Sequence, residues 1–508
     1  MDFGRVVRDS CTQHTQIALA VSNDSPVAMS SDNISPLRGL ALAEHVAQLL
    51  KARDREFAVL GLGVSGEAVA RLLNSRGIEV YASDVATSDA VKAAAARLSA
   101  LGVSTDVGQH ALSRIAAAAC VVVSPGIPPN VPPLKAAGAA NVPVVSEVEI
   151  ALQLRPGVPF IAVTGTNGKT TTTSLIAHLL RALDKDVAEV GNIGTPVAEV
   201  ALRETSPEWM AMELSSYQLH DTPSLRPNVG VLTNLSPDHL DRYKTVDAYY
   251  ADKALMFANG DSESRWVVPV EGNAVLEMTR NLPGHILRFS TQRSDVEGFL
   301  DRARGQFVLF GEALTPRSDF SLSGDHNVAN MLAALLAVMT AHPSHATPAA
   351  RVRLAAAICT ATALPHRIEP VADIDHVLWL NDSKATNVSS TQVAIAGMTR
   401  PTILLLGGRH KGEPYTSLAE PLLLNGKAVI AYGEAASIVF DDLNPIIGNH
   451  VPVHLMAGAS FKDVVNKARA LSAPGDTILL SPACSSFDMF ANYDERGRTF
   501  AKLAQGEA

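Results

Sequence analysis

From Glu56 onward, short runs of Val, Ile and Leu alternate with Ala-rich amphipathic stretches. The apolar runs are too short for helices and end in glycine or polar turns, so they read as buried strands. The Ala-rich stretches read as helices crossing back between parallel strands. A helix is predicted over residues 40–51, then a strand at 57–60, a helix through Leu73, a strand at 78–82 ending at Asp84, and a strand at 120–123. A second α/β unit spans residues 148–364. A third begins at 365, with strands at 376–380, 402–406, 428–432 and 477–480. No close internal repeat and no long low-complexity linker separates the units. The first forty-odd residues break the pattern: they are rich in Ser, Thr, Asp and Asn, with one short apolar piece at 17–21. Residues 1–50 are therefore expected to be a disordered tail and a lead-in helix. They lack the basic and apolar regions of a secretory signal.

Composition supports this division. At 508 residues the chain suits about three domains of ~150 residues, and 47% apolar residues suffice for several cores. The predicted fold is α/β in three domains: Rossmann-like over 51–147, a P-loop ATPase unit over 148–364, and Rossmann-like again over 365–508. A net charge of −9 leaves no basic footprint for nucleic acid. No apolar run approaches the ~18 residues of a membrane span, so membrane insertion is not expected. Cys11, Cys120, Cys359 and Cys484 are scattered and form no CxxC pair, which suits a reducing cytoplasm without disulfides or zinc.

The most specific chemistry lies in Gly165-Thr166-Asn167-Gly168-Lys169-Thr170-Thr171, placed between an apolar strand and a helix. Backbone N–H groups and a helix N-terminus make a phosphate cradle there. Lys169 adds a point charge for the outer phosphates and Thr170 a hydroxyl for Mg²⁺. Val163 stands where the longer Walker pattern has its first glycine. In the first unit, Gly61, Gly63 and Gly66 form GxGxxG around Val64 and Ser65, with Asp84 ending the next strand. That fingerprint accepts a pyrophosphate and a ribose hydroxyl. NAD is the default ligand, a nucleotide-sugar diphosphate fits equally, and a ligand-free Rossmann-like domain remains open.

Other motifs are weaker singly. Glu213 ends an apolar strand where a Walker-B-type carboxylate would hold Mg²⁺, yet alone it reads as a solvated strand end. His239 sits in a strand-end loop, where a histidine ligates metal or is structural. Lys253, on a helix, reads as an ordinary surface lysine. Asn327 and Asn330 share one side of a helix's first turn, and capping explains Asn327. Arg367 lies at the junction of units two and three. Three polar loops containing Asp382-Ser383-Lys384-Ala385-Thr386, Arg409-His410-Lys411 and Cys484-Ser485-Ser486-Phe487 end parallel strands in unit three. Ligands bind open α/β sheets at such ends, and lysines with hydroxyls suit a small dicarboxylate.

Taken together and in this order, GTNGKTT, GNIGTP, ELSSYQL, NLSPDHLDRY, GDHNVAN, HRIE, NDSKATN, LLGGRHKG and LLSPACSSFDMFANYDERG resemble the Mur ligase family, over residue 57 to the C-terminus. The resemblance implies an ATP-dependent ligase that adds D-glutamate to UDP-N-acetylmuramoyl-L-alanine through an acyl phosphate, in cytoplasmic peptidoglycan precursor synthesis. L-Glutamate addition, a folylpolyglutamate synthetase-like ligase and an NAD-binding oxidoreductase are the alternatives. It implies two Mg²⁺ ions and a monomer. It assigns ATP to residues 165–171 with Asn330, Arg367 and Asp382. Metal goes to Thr170, Glu213, His239 and a carbamylated Lys253, and catalysis to Lys169, Asn192, His239 and Lys253. The UDP-sugar falls to Gly61, Gly63, Val64, Ser65, Gly66, Asp84, Ser124 and Gly126. The amino acid falls to Lys384, Thr386, Lys411, Ser486, Phe487 and Tyr493. The loop after Asp84, Val85-Ala86, offers neither hydroxyl nor guanidinium where relatives often do.

Overall fold

The computed structural model describes residues 37–506 except 241 and 323. The tail expectation for 1–36, together with Cys11 and Asp241, lies outside the described residues.

Three sheets follow one another along the chain. The first has five parallel strands in the order Ser104–Val107, Val80–Asp84, Phe57–Leu60, Cys120–Val123, Val144–Ser146. Phe57–Leu60 and Cys120–Val123 are neighbours whose connections leave to opposite sides. The glycine loop after one and the Ser124 loop after the other therefore meet at a topological switch point. Gly66 permits this: a Cβ there would lie 1.8 Å from the Gly61 carbonyl oxygen.

In the nine-stranded second sheet, Phe160–Thr164 lies between Trp209–Glu213 and Val229–Leu232, third from one edge. Helix Asp325–Ala341 is apolar nearly all round, which sends it into the core against helix Lys169–Ala182. The third sheet runs Glu369–Ile374, Val377–Asn381, Thr477–Leu480, Thr402–Gly407, Gly426–Tyr432, Val453–Met456.

Several expectations shift. The strand expected at 78–82 is Val80–Asp84, because Ile78 belongs to the preceding helix end. Gly77 is left-handed and the Ile78 N–H donates to the Leu73 carbonyl, a helix-closing turn. The sheets are also not purely parallel. Gly298–Asp301, Gln306–Leu309 and Glu312–Pro316 form an antiparallel meander, and Glu369–Ile374 pairs antiparallel with Val377–Asn381. Two-residue turns with positive φ at both positions, Phe310-Gly311 and Asp375-His376, make these hairpins. His376 is thus a turn residue and not the first of a strand. Helix Asp325–Ala341 is capped by Gly324, so Asn327 lies in the first turn and is not the cap.

Candidate active site

The phosphate loop leaves strand Phe160–Thr164 of the second sheet. Gly165 has φ 140°, and a Cβ there would lie 2.0 Å from Thr233 Oγ1, so the position admits only glycine. Asn234 Oδ1 accepts the Asn167 N–H at 2.9 Å, and Thr233 Oγ1 donates to the Asn167 carbonyl at 2.6 Å. Helix Lys169–Ala182 then presents its N-terminus to the loop. Lys169 Nζ donates to the carbonyls of Gly165 at 3.0 Å and Thr166 at 2.7 Å.

Lys253 overturns its reading as a surface lysine. It is 1% exposed, on helix Val246–Ala254, and its Nζ donates to the same Gly165 carbonyl at 2.7 Å. The Tyr249 ring lies 4.6 Å below that Nζ. Two amines share one oxygen. Burial, then repulsion from Lys169, drives the Lys253 pKa well below that of an ordinary lysine. Burial also lowers that of Lys169.

Glu213 is buried at the end of Trp209–Glu213. Its Oε1 accepts from Asn192 Nδ2 at 2.8 Å, while Oε2 has no hydrogen-bond partner. A buried carboxylate oxygen without a donor suits a cation, and buried Thr170 opens the helix at the phosphate loop. Among the described residues, no three His, Cys, Asp or Glu side chains converge as a ready-made metal cage. Mg²⁺ here would therefore lean on substrate oxygens. His239 adopts φ 57° in the turn after Val229–Leu232 and meets the Tyr217 ring edge-on at 5.3 Å. Lys253 suits a cation only once its amine has become an anion.

A cavity of about 430 Å³ runs from Asn167, Gly168 and Asn330 past Arg367 and Asp382 to apolar walls at Phe289 and Leu322. Asn330 Oδ1 accepts from Thr172 Oγ1 and crowds Gly168, so this residue sits directly beneath the phosphate loop. Arg367 lies between two left-handed residues, His366 (φ 61°) and Ile368 (φ 47°). For a β-branched Ile this is strained backbone, held at the junction of two sheets. The His366 ring is fixed by Asn381 and Asp494 at 2.8 Å each. Arg367 Nε is buried without an acceptor, which fits a phosphate ligand. Burial raises the Asp382 pKa to about 7, against donation from Ser481 Oγ.

The third sheet's loops reach across to this loop. Lys411 Nζ lies 3.4 Å from Thr386 Oγ1 and 3.6 Å from Asp238 Oδ1. Burial alone would raise the Asp238 pKa. Lys411, His239, a bond from Asn387 and Lys169 outweigh it and hold that pKa at about 2. Asn167 Nδ2 donates to Ser389 Oγ at 2.8 Å, and its Oδ1 accepts from Ser390 Oγ at 2.7 Å. Lys384 Nζ stands 5.3 Å over the Tyr493 ring, its pKa lowered to about 8 by burial and then by Arg367. Ser486 is buried, whereas Phe487 is 62% exposed. Cys484 Sγ pairs with Tyr415 Oη at 2.9 Å, and burial lifts the thiol to about 11, so it is inert. Asp238, Asn387, Ser389 and Ser390 escaped the sequence reading. Asp238 and Asn387 lie inside quoted polar motifs and Ser389 and Ser390 just beyond one, but only tertiary contact shows that they join the second and third sheets.

In the first sheet, Asp84 Oδ2 accepts the Leu62 N–H at 2.8 Å and Oδ1 the Ala86 N–H at 2.8 Å, bracing the glycine loop. Ser124 Oγ is buried without a partner beside Gly61, while Val64 and Val85 stand exposed at the loop's rim. Gly63 and Gly126 are open to solvent, and Ser65 is half-buried on helix Val64–Ser75.

Comparison with known proteins gives three family models in chain order. Residues 55–146 match the Mur ligase MurD-like N-terminal domain, 163–338 the Mur ligase middle domain, and 366–484 the Mur ligase glutamate ligase domain. The chain is 38% identical over 465 residues to the UDP-N-acetylmuramoylalanine–D-glutamate ligase of Myxococcus xanthus, covering 90% of this chain and 99% of that one. It is 35% identical to the ligase of the same name from Acidobacterium capsulatum, covering 89% and 97%. Its fold is similar to MurF ligase from Thermotoga maritima, crystallised with ADP, with a TM-score of 0.55 at 16% identity, covering 77% and 89%.

Proposed function

The chain belongs to the Mur ligase family, and from that premise we propose that it joins D-glutamate to UDP-N-acetylmuramoyl-L-alanine, with ATP converted to ADP and phosphate. The observation that carries this reading is the approach of the third sheet's loops to the phosphate loop. Lys411 meets Asp238, and Asn167 is gripped by Ser389 and Ser390. An acyl group activated at the phosphate loop and an amine held by the third domain thus face one another. Among the described residues no helix is long and apolar enough to cross a membrane.

The muramoyl-alanine carboxylate oxygen attacks the γ-phosphorus and the bond to ADP breaks. The glutamate amine, neutral after releasing its ammonium proton to solvent, attacks the acyl carbon; the C–O bond to phosphate breaks, and the phosphate takes up the second amine proton as the amide forms. Lys169 and Arg367 hold the phosphate charge, which is greatest when both anions are in contact. Thr170 and Glu213 would hold one Mg²⁺, and His239 with a carbamylated Lys253 the other. When bound, these ions neutralise phosphate oxygens. Lys411, Thr386 and Ser486 orient the glutamate carboxylates. Closure of the third domain excludes water that would hydrolyse the acyl phosphate.

The test is ADP release with UDP-N-acetylmuramoyl-L-alanine against a panel of D- and L-amino acids. Release is expected to depend on the UDP-sugar and D-glutamate together; L-glutamate alone supporting turnover would reverse the stereochemical assignment. Within that assay, Lys411→Ala is expected to raise the KM for glutamate at least tenfold and leave that for ATP within about twofold, because a charge-assisted contact to one substrate is lost. A weakened ATP KM with glutamate unchanged would show that the third domain is not the amino-acid site.

A further inference from the structure

Between the first two sheets lies a contact that the assigned roles leave unused. Arg242 follows His239 in the same loop, and the Arg242 N–H donates to the His239 carbonyl at 2.9 Å. Its guanidinium carbon stands 3.6 Å from the centre of the Tyr217 ring. That ring in turn meets His239 edge-on and stacks on Tyr243 at 5.8 Å. From this platform, Arg242 reaches into the first domain. One terminal nitrogen donates to the Ile127 carbonyl at 2.9 Å and the other to the Pro125 carbonyl at 3.4 Å. Those carbonyls belong to the loop whose first residue, Ser124, carries the orphaned hydroxyl against the glycine loop. Arg242 Nε is itself buried without a partner.

We propose that Arg242 is a positioning residue for the sugar nucleotide, clamping the Ser124–Ile127 loop to the His239 turn. This rests on the substrate reading above. A UDP-sugar that binds the switch point of the first sheet and delivers its carboxylate beside His239 must span both domains. Its affinity then depends on the distance between the two ends being fixed before binding, since any slack is lost as entropy on association. The residue type follows from the task. A planar guanidinium can stack on Tyr217 and fork to two carbonyls at once. An ammonium has no planar face to stack and donates from a single nitrogen, so it cannot cover the ring and span both carbonyls in this geometry, and lysine is not equivalent.

The experiment compares wild type with Arg242→Ala and Arg242→Lys. It determines KM for each of the three substrates and the dissociation constant for UDP-N-acetylmuramoyl-L-alanine alone by calorimetry. Both variants are expected to bind the UDP-sugar about tenfold or more weakly, with KM for ATP within twofold and a smaller fall in kcat. Arg242→Lys keeps the charge and guards against mere misfolding. A generally loosened structure would raise all three KM values together, and that result overturns the proposal. So does UDP-sugar binding within twofold of wild type in both variants. Absence of wild-type turnover with this UDP-sugar would overturn the substrate reading and this inference with it. Normal wild-type turnover with unaffected variants overturns this inference alone.

Discussion

Lys169→Ala is expected to lower ADP release by on the order of 10³-fold or more, about 4 kcal/mol of transition-state stabilisation. The loop positions this amine on its own carbonyls, those of Gly165 and Thr166, at the mouth of helix Lys169–Ala182. Those contacts are neutral acceptors of modest strength, and a polyphosphate is a far stronger partner. Two anions must meet before the phosphoryl group moves, so a missing cation costs more at the transition state than in the binary ATP complex. The loss should therefore fall mainly on kcat, with nucleotide affinity reduced less. Single-turnover ADP release and direct nucleotide binding measure the two separately. Near-normal release from the alanine variant would place ATP elsewhere.

Much of this site was readable before folding because it is local. A strand, a glycine loop and a helix that opens on Lys169 are consecutive in the chain, and each has its own pattern. The same holds for GxGxxG and Asp84, although on spacing alone they suggested NAD as readily as a nucleotide sugar. Strand edges were read less well. Ile78 looked like strand because it is apolar, yet it closes the helix before it. The hairpins at 310–311 and 375–376 were missed because Phe310, Asp375 and His376 do not advertise positive φ, and Gly311 alone signals only a turn. Lys253 was singled out only by the family resemblance, and its own pattern hid it for a deeper reason. Nothing in Tyr249-Tyr250-Ala251-Asp252-Lys253 says that this helix packs onto a phosphate loop 88 residues earlier in the chain. Asp238, Asn387 and Ser390 escaped in the same way: each is an ordinary polar loop residue until three-dimensional contact joins two sheets.

That hidden lysine yields the second large effect. Lys253→Ala is expected to reduce kcat by on the order of 10²- to 10³-fold, and acetate or formate should restore part of the loss. As an ammonium, Lys253 would add a second buried positive charge on the Gly165 oxygen beside Lys169, and both burial and repulsion oppose it. A neutral amine satisfies the site and is also the form that reacts with carbon dioxide. Its lone pair forms an N–C bond, one C=O π bond becomes the carboxylate, and the amine proton leaves to solvent. The product would be an anion in place of a neutral amine, in the electrostatic range of Glu213, whose Oε2 is unpartnered, and it would let the site hold a divalent ion. Because burial and Lys169 hold the Lys253 pKa well below that of an exposed lysine, its neutral, reactive form is more available than that of a surface lysine. Labelled bicarbonate should therefore give a carbamate ¹³C resonance that the alanine variant lacks. Removal of dissolved carbon dioxide should slow the wild type reversibly. Exogenous carboxylates work only if they occupy the space left by the side chain, so rescue should decline from formate and acetate to bulkier acids. A fully active alanine variant would take the carbamate out of the mechanism. An inactive variant that no small carboxylate revives, with no labelled resonance in the wild type, would leave Lys253 as a packing and hydrogen-bonding support for Gly165.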